Sequence, residues 1–586
     1  MNGLILLLCG SALFLVGYAF YSKFISRSLG IDPSRPTPAH TLRDGCDYVP
    51  AHPMVLYGHH FAAIAGAGPI IGPVLAAQFG WVAVALWIVL GCIFIGSMHD
   101  MVTLFLSVRH QGKSIGSVIE DVLGRPGKMI FLMFCFAALV LVMSVFTGQV
   151  ADAFVSNPEV ATSSLLGIFE AALFGVCVYK FRWSVFAASF VFVPLLFLLV
   201  WIGVVFPCDL TAIFGVTSAT ARTIWVVVLF VYCFVASTLP VWLLLQPRDY
   251  LNSYLLYAML AIGLTAVFVV CPSINIDAFA GFTVKAAKGG ATMHLFPLLF
   301  VTVACGACSG FHALVASGTT SKQLDNERHI RPIGYGGMLL EGVVALLALI
   351  AVAWHSQSEL VAGLSEGKPV VLFAQGLASF CGKLGLPEKT SESFMLLAVA
   401  AFLMTSVDAC TRLARFVWQE LWTTASASAP AEEARDGASQ TKPPLAVRLN
   451  RNMYFATAVV IAIGVYLLVL NPSMANNLWT MFASANQMLA ALTLLTASLW
   501  LFKNRLKFWI AALPMCFMVV TSGTAVFQLF LQSLDKWMKQ GFAAGGVTAI
   551  GSLTLFCLAI VLLVLGAMKL RTAVRARIIR AGIRKM

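Results

Sequence analysis

The chain has 586 residues, of which 60% are hydrophobic and 11% charged. Soluble globular domains carry about 25% charged residues, and here the apolar segments follow one another so closely that no soluble catalytic domain fits between them. The formal net charge of +13 reads as Lys and Arg held in cytoplasmic loops, not as a nucleic-acid footprint.

A membrane-spanning helix needs about 20 apolar residues. In chain order the candidates are 3–21, 59–77, 80–107, 128–147, 163–179, 184–206, 223–246, 253–271, 294–318, 333–355, 393–415, 453–470, 477–501, 508–532 and 545–568. The fold class this predicts is an all-α polytopic membrane protein with about 15 spans. The first apolar run has no basic region before it and no clear cleavage site, so it reads as a retained helix and not a signal peptide. The stretch at 369–381 is short and lies among polar residues, so it is expected to be re-entrant or interfacial. Fourteen cysteines are scattered, mostly within apolar segments, as small core residues. Cys305 and Cys308 form the only CxxC, and two small residues on one helix face explain it without a metal.

The distribution of positive charge orients the chain. With the N-terminus outside and the helices alternating, 30 of the 38 Lys and Arg residues fall on the cytoplasmic side, as the positive-inside rule demands. The C-terminus, with its basic tail from residue 569, is then cytoplasmic. Making 369–381 a full span would invert everything after it and spoil the bias. The segment 417–452, rich in Ala, Ser, Glu and Pro, reads as a flexible cytoplasmic linker. It separates a first block (1–416) from a last block of four helices (453–568).

Two spans do not look like plain lipid-facing helices. The first, YGHHFAAIAGAGPIIGPVLAAQFGW from Tyr57, contains Gly66, Gly68, Pro69, Gly72 and Pro73. Proline removes a backbone donor and glycine loosens the helix, so a break near the middle is expected. The second, from Phe296 to Gln323, carries Gly306, Ser309, Gly310, His312, Ser317, Gly318 and Thr319. Irregular backbone at membrane depth is tolerated only where it is buried in protein or lines a watery cavity. Paired, interrupted spans point to a transporter's substrate site. Small residues that mediate helix packing are the alternative. Seven helices begin with each broken segment, and the orientation above runs the two in opposite directions, as an inverted repeat requires.

Ionisable groups within spans are costly and therefore suspect. Asp408, Glu170 and Glu341 are candidate proton carriers, and an intrahelical Asp408–Arg412 pair is the alternative for the first. His59, His60 and His312 flank the broken segments and are candidates for proton or substrate contact, or for plain hydrogen bonding. Their spacing does not suggest a metal. His99 and Asp100, near a predicted helix end, read as a solvated interface. Arg248 and Asp249, in the tight turn QPRDYLNSY, are a candidate clasp or gate. Asn486 and Gln487 put two amides in mid-span, where they need a partner helix, a substrate or an ion. No GxxxxGK[ST] or HExxH motif occurs; GLASFCGKL at 376–384 has the wrong spacing. An ATP-driven pump or metalloprotease is disfavoured, and neither an enzyme activity nor a cofactor is indicated.

YGHHFAAIAGAGPIIGP (57–73), QPRDYLNSY (246–254), SGFHALVASGTTSKQ (309–323), the D-x-x-T-R pattern at Asp408 and ANQMLAALTLL (485–495) together resemble the carbon starvation protein A (CstA) family. The resemblance runs from about residue 4 to 530 and looks like one of the family's shorter members. It implies bacterial inner-membrane nutrient uptake, of peptides in starvation or of pyruvate with protons. It also implies the inverted repeats and broken helices of the amino acid–polyamine–organocation transporters. The reading is a proton-coupled secondary transporter of a small carboxylate-bearing nutrient, whose partners are that substrate, protons and the bilayer. The alternative is a membrane nutrient sensor that signals through its linker or tail.

Overall fold

The structure is a computed structural model, described for residues 2–44, 48–240, 243–287, 292–426, 445–470 and 477–583. It is helical nearly throughout, with one two-stranded hairpin, Thr283–Lys285 antiparallel to Thr292–His294. The spans are α1 (Gly3–Leu29), the bent pair α2 (Pro53–Ile64) and α3 (Gly68–Ala76), α4 (Trp81–Arg109), α5 (Arg125–Ser156), α6 (Pro158–Lys180), α7 (Val185–Val205), α8 (Ser218–Thr238) and α9 (Leu245–Val270). Then come the short pieces α10 (Leu295–Thr302) and α11 (Phe311–Val315), followed by α12 (Glu327–Ala353), α13 (Pro369–Lys383) and α14 (Glu388–Ser426). The last are α15 (Met453–Val469), α16 (Leu478–Lys503), α17 (Trp509–Gln540) and α18 (Phe542–Ile583).

Twelve of these helices are long and apolar enough to cross a membrane, or 13 with the bent pair counted as one span. The count of about 15 expected from hydropathy is therefore not met by length and composition. The difference has a physical source. The predicted segment at 294–318 is not one helix but α10 and α11, and 453–470 forms the shorter apolar helix α15. The stretch at 369–381 is a helix of 15 residues packed on α12, α14 and α9. The expected linker is narrower than 417–452. Its first residues continue α14 to Ser426, its last form a helix over Leu445–Arg451, and 427–444 lie outside the described residues.

The helices do not share burial equally. The apolar stretch of α16 is 89% buried and that of α7 only 22%. Hence α16 belongs to the core of the bundle, and α7 is left facing outward, as a lipid-contacting helix does. The last block is not a separate body: α16 packs against α5 and α10 and carries Asn486 into the middle of the first block.

Candidate functional site

Both broken segments break where the sequence places glycine and proline. In the first, Ala65 (φ −73°, ψ 58°) takes up an inverse γ-turn, and the Gly66 N–H donates to the Ile64 carbonyl at 2.7 Å. The chain restarts as α3 with Pro69 in its first turn, where no backbone donor is required. The two halves are bent by 45°. In the second, regular helix stops at Thr302 and resumes at Phe311.

The two breaks cross. A Cβ at Gly72 would stand 2.3 Å from the Val303 carbonyl oxygen, so only glycine allows the backbones to approach this closely. Gly68 faces Cys305, and Gly66 faces Ser406 of α14. The unwound backbone of 303–310 takes its partners from α16 and α4, as buried backbone must. Gly310 N donates to the Asn486 backbone carbonyl at 3.1 Å and Phe311 N to Asn486 Oδ1 at 2.9 Å. Asn486 Nδ2 donates to Ser309 Oγ at 3.0 Å. Gln487 donates to Phe300 O at 2.6 Å, which also accepts from Trp87. The amides expected to need a partner thus have one in the broken backbone. The N–H groups of Gly310 and Phe311 are already spoken for by Asn486.

Around this crossing lies a fully buried cluster of ionisable side chains. His312 Nδ1 donates to Asp100 Oδ2 at 2.8 Å, and His99 Nδ1 donates to Asp100 Oδ1 at 2.8 Å. The other ring nitrogen of His312 lies 3.3 Å from Glu341 Oε2, in ion-pair range but off the line of a straight hydrogen bond. His60 is hydrogen-bonded to Thr320 at 2.9 Å and stands beside Asp100 and His312. All five side chains are at 0% exposure. The free ring nitrogens of His60 and His99 and the Glu341 oxygens have no hydrogen-bond partner among the described residues. No group of three or more His, Cys, Asp or Glu among the described residues is placed to hold a metal ion.

His99 and Asp100 correct the expectation of a solvated helix end. Helix α4 runs on to Arg109, so both lie well inside it, and Asp100 faces α11. Hydropathy had no means of finding them, because it scores a His-Asp dipeptide alike at a wet helix end and in a buried cluster.

A second cluster joins α8, α9 and α14. Asp408 accepts from Arg248 and from the Tyr232 hydroxyl, with both Asp408 and Arg248 almost fully buried. Arg248 also donates to Tyr232. Arg412 does not pair with Asp408. It donates instead to the carbonyls of Ala236 and Leu239 at the end of α8, at 2.9 and 3.1 Å, because those carbonyls would otherwise be left without partners. Asp249 lies in the same charged group as Arg248, Asp408 and Arg412. The tight turn expected at 246–254 is instead the start of helix α9, which sets Arg248 against Asp408 of α14.

The remaining candidates lie apart. Glu170 of α6 is buried with both oxygens unpartnered among the described residues. His59 and Thr319 are exposed, and the Thr319 hydroxyl turns back to Val315 O at 3.1 Å. Ser317 is used structurally, donating to Ala313 O and accepting from Ile115 N. His59, Ser317 and Thr319 lie near the breaks in sequence, but the side of the helix each occupies gives it other surroundings, and Glu170 lies on a different helix.

Broken spans that cross at a buried ionisable cluster, inside a bundle of apolar helices, are the architecture of a membrane transporter. The chain belongs to the family described as carbon starvation protein CstA, whose model matches residues 2–365 and 355–525. It is 32% identical to the peptide transporter CstA of Campylobacter jejuni, over 89% of this chain and 79% of that protein. It is 30% identical to the peptide transporter CstA of Bacillus subtilis, over 98% and 97%. It is also 30% identical to the pyruvate/proton symporter BtsT of Escherichia coli, over 90% and 81%. Among solved structures, a manganese transporter of Eremococcus coleocola is similar at 11% identity and a TM-score of 0.48, over 89% of this chain and 95% of that one. The protein is a multi-pass membrane transporter and not an enzyme.

Proposed function

We propose that this transporter is a proton-coupled importer of a small carboxylate-bearing nutrient, in the class of pyruvate or short peptides, working in the bacterial inner membrane in the response to carbon starvation. The N-terminus is outside and the C-terminus cytoplasmic in this reading. The substrate passes at the crossing of the two broken segments, which rock against one another as halves of an inverted repeat. The observation that carries the reading is the buried chain Asp100–His312–Glu341 at that crossing.

The physical argument is one of charge balance. An unpaired charge at this depth is costly. With His312 as imidazolium, both ring N–H groups face carboxylates, and one of the two carboxylates is neutralised. The other carboxylate needs a second proton. The cluster therefore has two accessible occupancies that differ by one proton, and that is the property a proton-coupled carrier requires. The relatives' names, a peptide transporter and a pyruvate/proton symporter, agree with both halves of the proposal.

The test is uptake of radiolabelled pyruvate and of alanyl-alanine by proteoliposomes. Accumulation of at least one of them under an imposed inward proton gradient, and its loss on adding a protonophore, is the expected result. Accumulation against a substrate gradient that continues after both pH and voltage gradients are dissipated would refute proton coupling.

A further inference from the structure

Away from the crossing, a crevice runs between α6, α7, α9 and α14. Its polar wall is Ser163 and Ser164 of α6 and Arg248 and Asn252 of α9. The rest is largely aliphatic, with Val200, Leu255 and Met404 in it.

Two buried donors in this wall have no acceptor among the described residues: Arg248 Nη2 and Ser164 Oγ. The Arg248 side chain is 5% exposed. Its Nη1 serves Asp408 and Tyr232, so one side of the guanidinium is clasped while Nη2 is buried without a partner among the described residues. Arg248 and Arg412 stand with Asp408 and Asp249 in one charged group. A guanidinium is the side chain best matched to a carboxylate.

We propose that this crevice is a carboxylate-binding site for a monocarboxylate with a short apolar body. The carboxylate sits on Arg248 Nη2, Ser164 supplies a second donor, and the body lies on the aliphatic wall. Because the same guanidinium holds Asp408, arrival of the anion is felt directly by the clasp between α9 and α14. The inference rests on the reading of a carboxylate cargo, and it moves recognition of that carboxylate away from the broken segments, where Asn486 already takes up the N–H groups of Gly310 and Phe311.

Gly167 gives the test. It lines the crevice, and a Cβ there meets nothing within 4 Å. Gly167→Leu therefore fills the space without a backbone clash and favours the helix. Equilibrium binding of radiolabelled butyrate is measured on the full chain in nanodiscs, with butyramide as the neutral competitor. Wild type binds butyrate, and butyramide does not displace it. Gly167→Leu weakens binding at least about tenfold, because its side chain takes the space of the apolar body, and keeps a cooperative thermal melt. Should that variant not fold, Ser164→Val narrows the same wall and carries the same expectation. Wild-type affinity in the filled variant, or equal displacement by butyramide, overturns the proposal. If Gly72→Ala abolishes binding while Gly167→Leu binds normally, recognition is at the crossing; this inference then fails and the transport reading stands. If wild type accumulates no carboxylate in proteoliposomes, the transport reading fails instead.

Discussion

Asp100→Asn is the substitution that bears most directly on proton coupling. Asp100 is fully buried and accepts hydrogen bonds from His99 and His312, each at 2.8 Å. Removing one partner of a buried ion pair outright costs about 3–5 kcal/mol. Asparagine keeps the volume and one acceptor, so the loss falls nearer that of one buried hydrogen bond to a charged group, about 1.5–3 kcal/mol. Each 1.4 kcal/mol or so is a factor of ten, so the proton occupancy of the His312–Glu341 pair changes by about ten- to a hundredfold. The expected result is a variant that folds, melts cooperatively at a lower temperature, and exchanges labelled for unlabelled substrate across the membrane. It no longer accumulates substrate under a proton gradient. Proteoliposomes separate the two activities, because exchange needs no net proton movement. Accumulation at the wild-type rate and extent in Asp100→Asn would remove the cluster from the mechanism.

Three further outcomes follow from the geometry. Gly72→Ala puts a methyl group 2.3 Å from the Val303 carbonyl oxygen, and the crossing must open by about 1 Å to restore contact, at the cost of about 1–3 kcal/mol typical of overpacking. Both the melting temperature and the uptake rate fall; if neither changes, the two breaks do not cross this closely. Asn486→Ala strands the Phe311 N–H and costs about 1–3 kcal/mol, whereas Asn486→Asp keeps the acceptor and recovers a measurable part of the melting temperature. Equal melts for the two variants would count against this role. Asp408→Ala leaves Arg248 buried without its counter-charge and destabilises by about 3–5 kcal/mol. The double variant Asp408→Ala/Arg248→Met is less destabilised than the sum of its singles, and strict additivity in the thermal melts would deny the clasp.

Much of the fold was legible because its signals are local. The bilayer demands apolar side chains and internally satisfied backbone, so hydropathy locates the helices, although several run well past the apolar stretch, as α5 (Arg125–Ser156) runs past 128–147. The break at Ala65–Ala67 sits among glycines and prolines, and the unwound stretch before Phe311 carries Gly306 and Gly310. Segment 294–318 is broken as its glycines imply, but hydropathy is blind to how much of it stays helical, and only α10 and the short α11 are regular. The linker is narrower than its polar middle suggests because its ends carry apolar residues: Val417, Trp418, Leu421 and Trp422 continue α14, and Leu445–Arg451 forms a helix.

By itself the sequence determined a polytopic helical membrane protein, the positions of its two interruptions and a short roster of suspect charges. Only the tertiary structure decided which of those charges meet. Asp100 and His312 are separated by 212 residues, and Arg248 and Asp408 by 160, and nothing in the neighbourhood of any of them marks its partner. A lone His, Asp or Arg in an apolar helix looks the same whether it faces a neighbour, a cavity or nothing. The packing of α4 on α11, and of α9 on α14, is what turned isolated, costly residues into satisfied pairs. The same packing left Glu170, His59 and Thr319 outside both clusters.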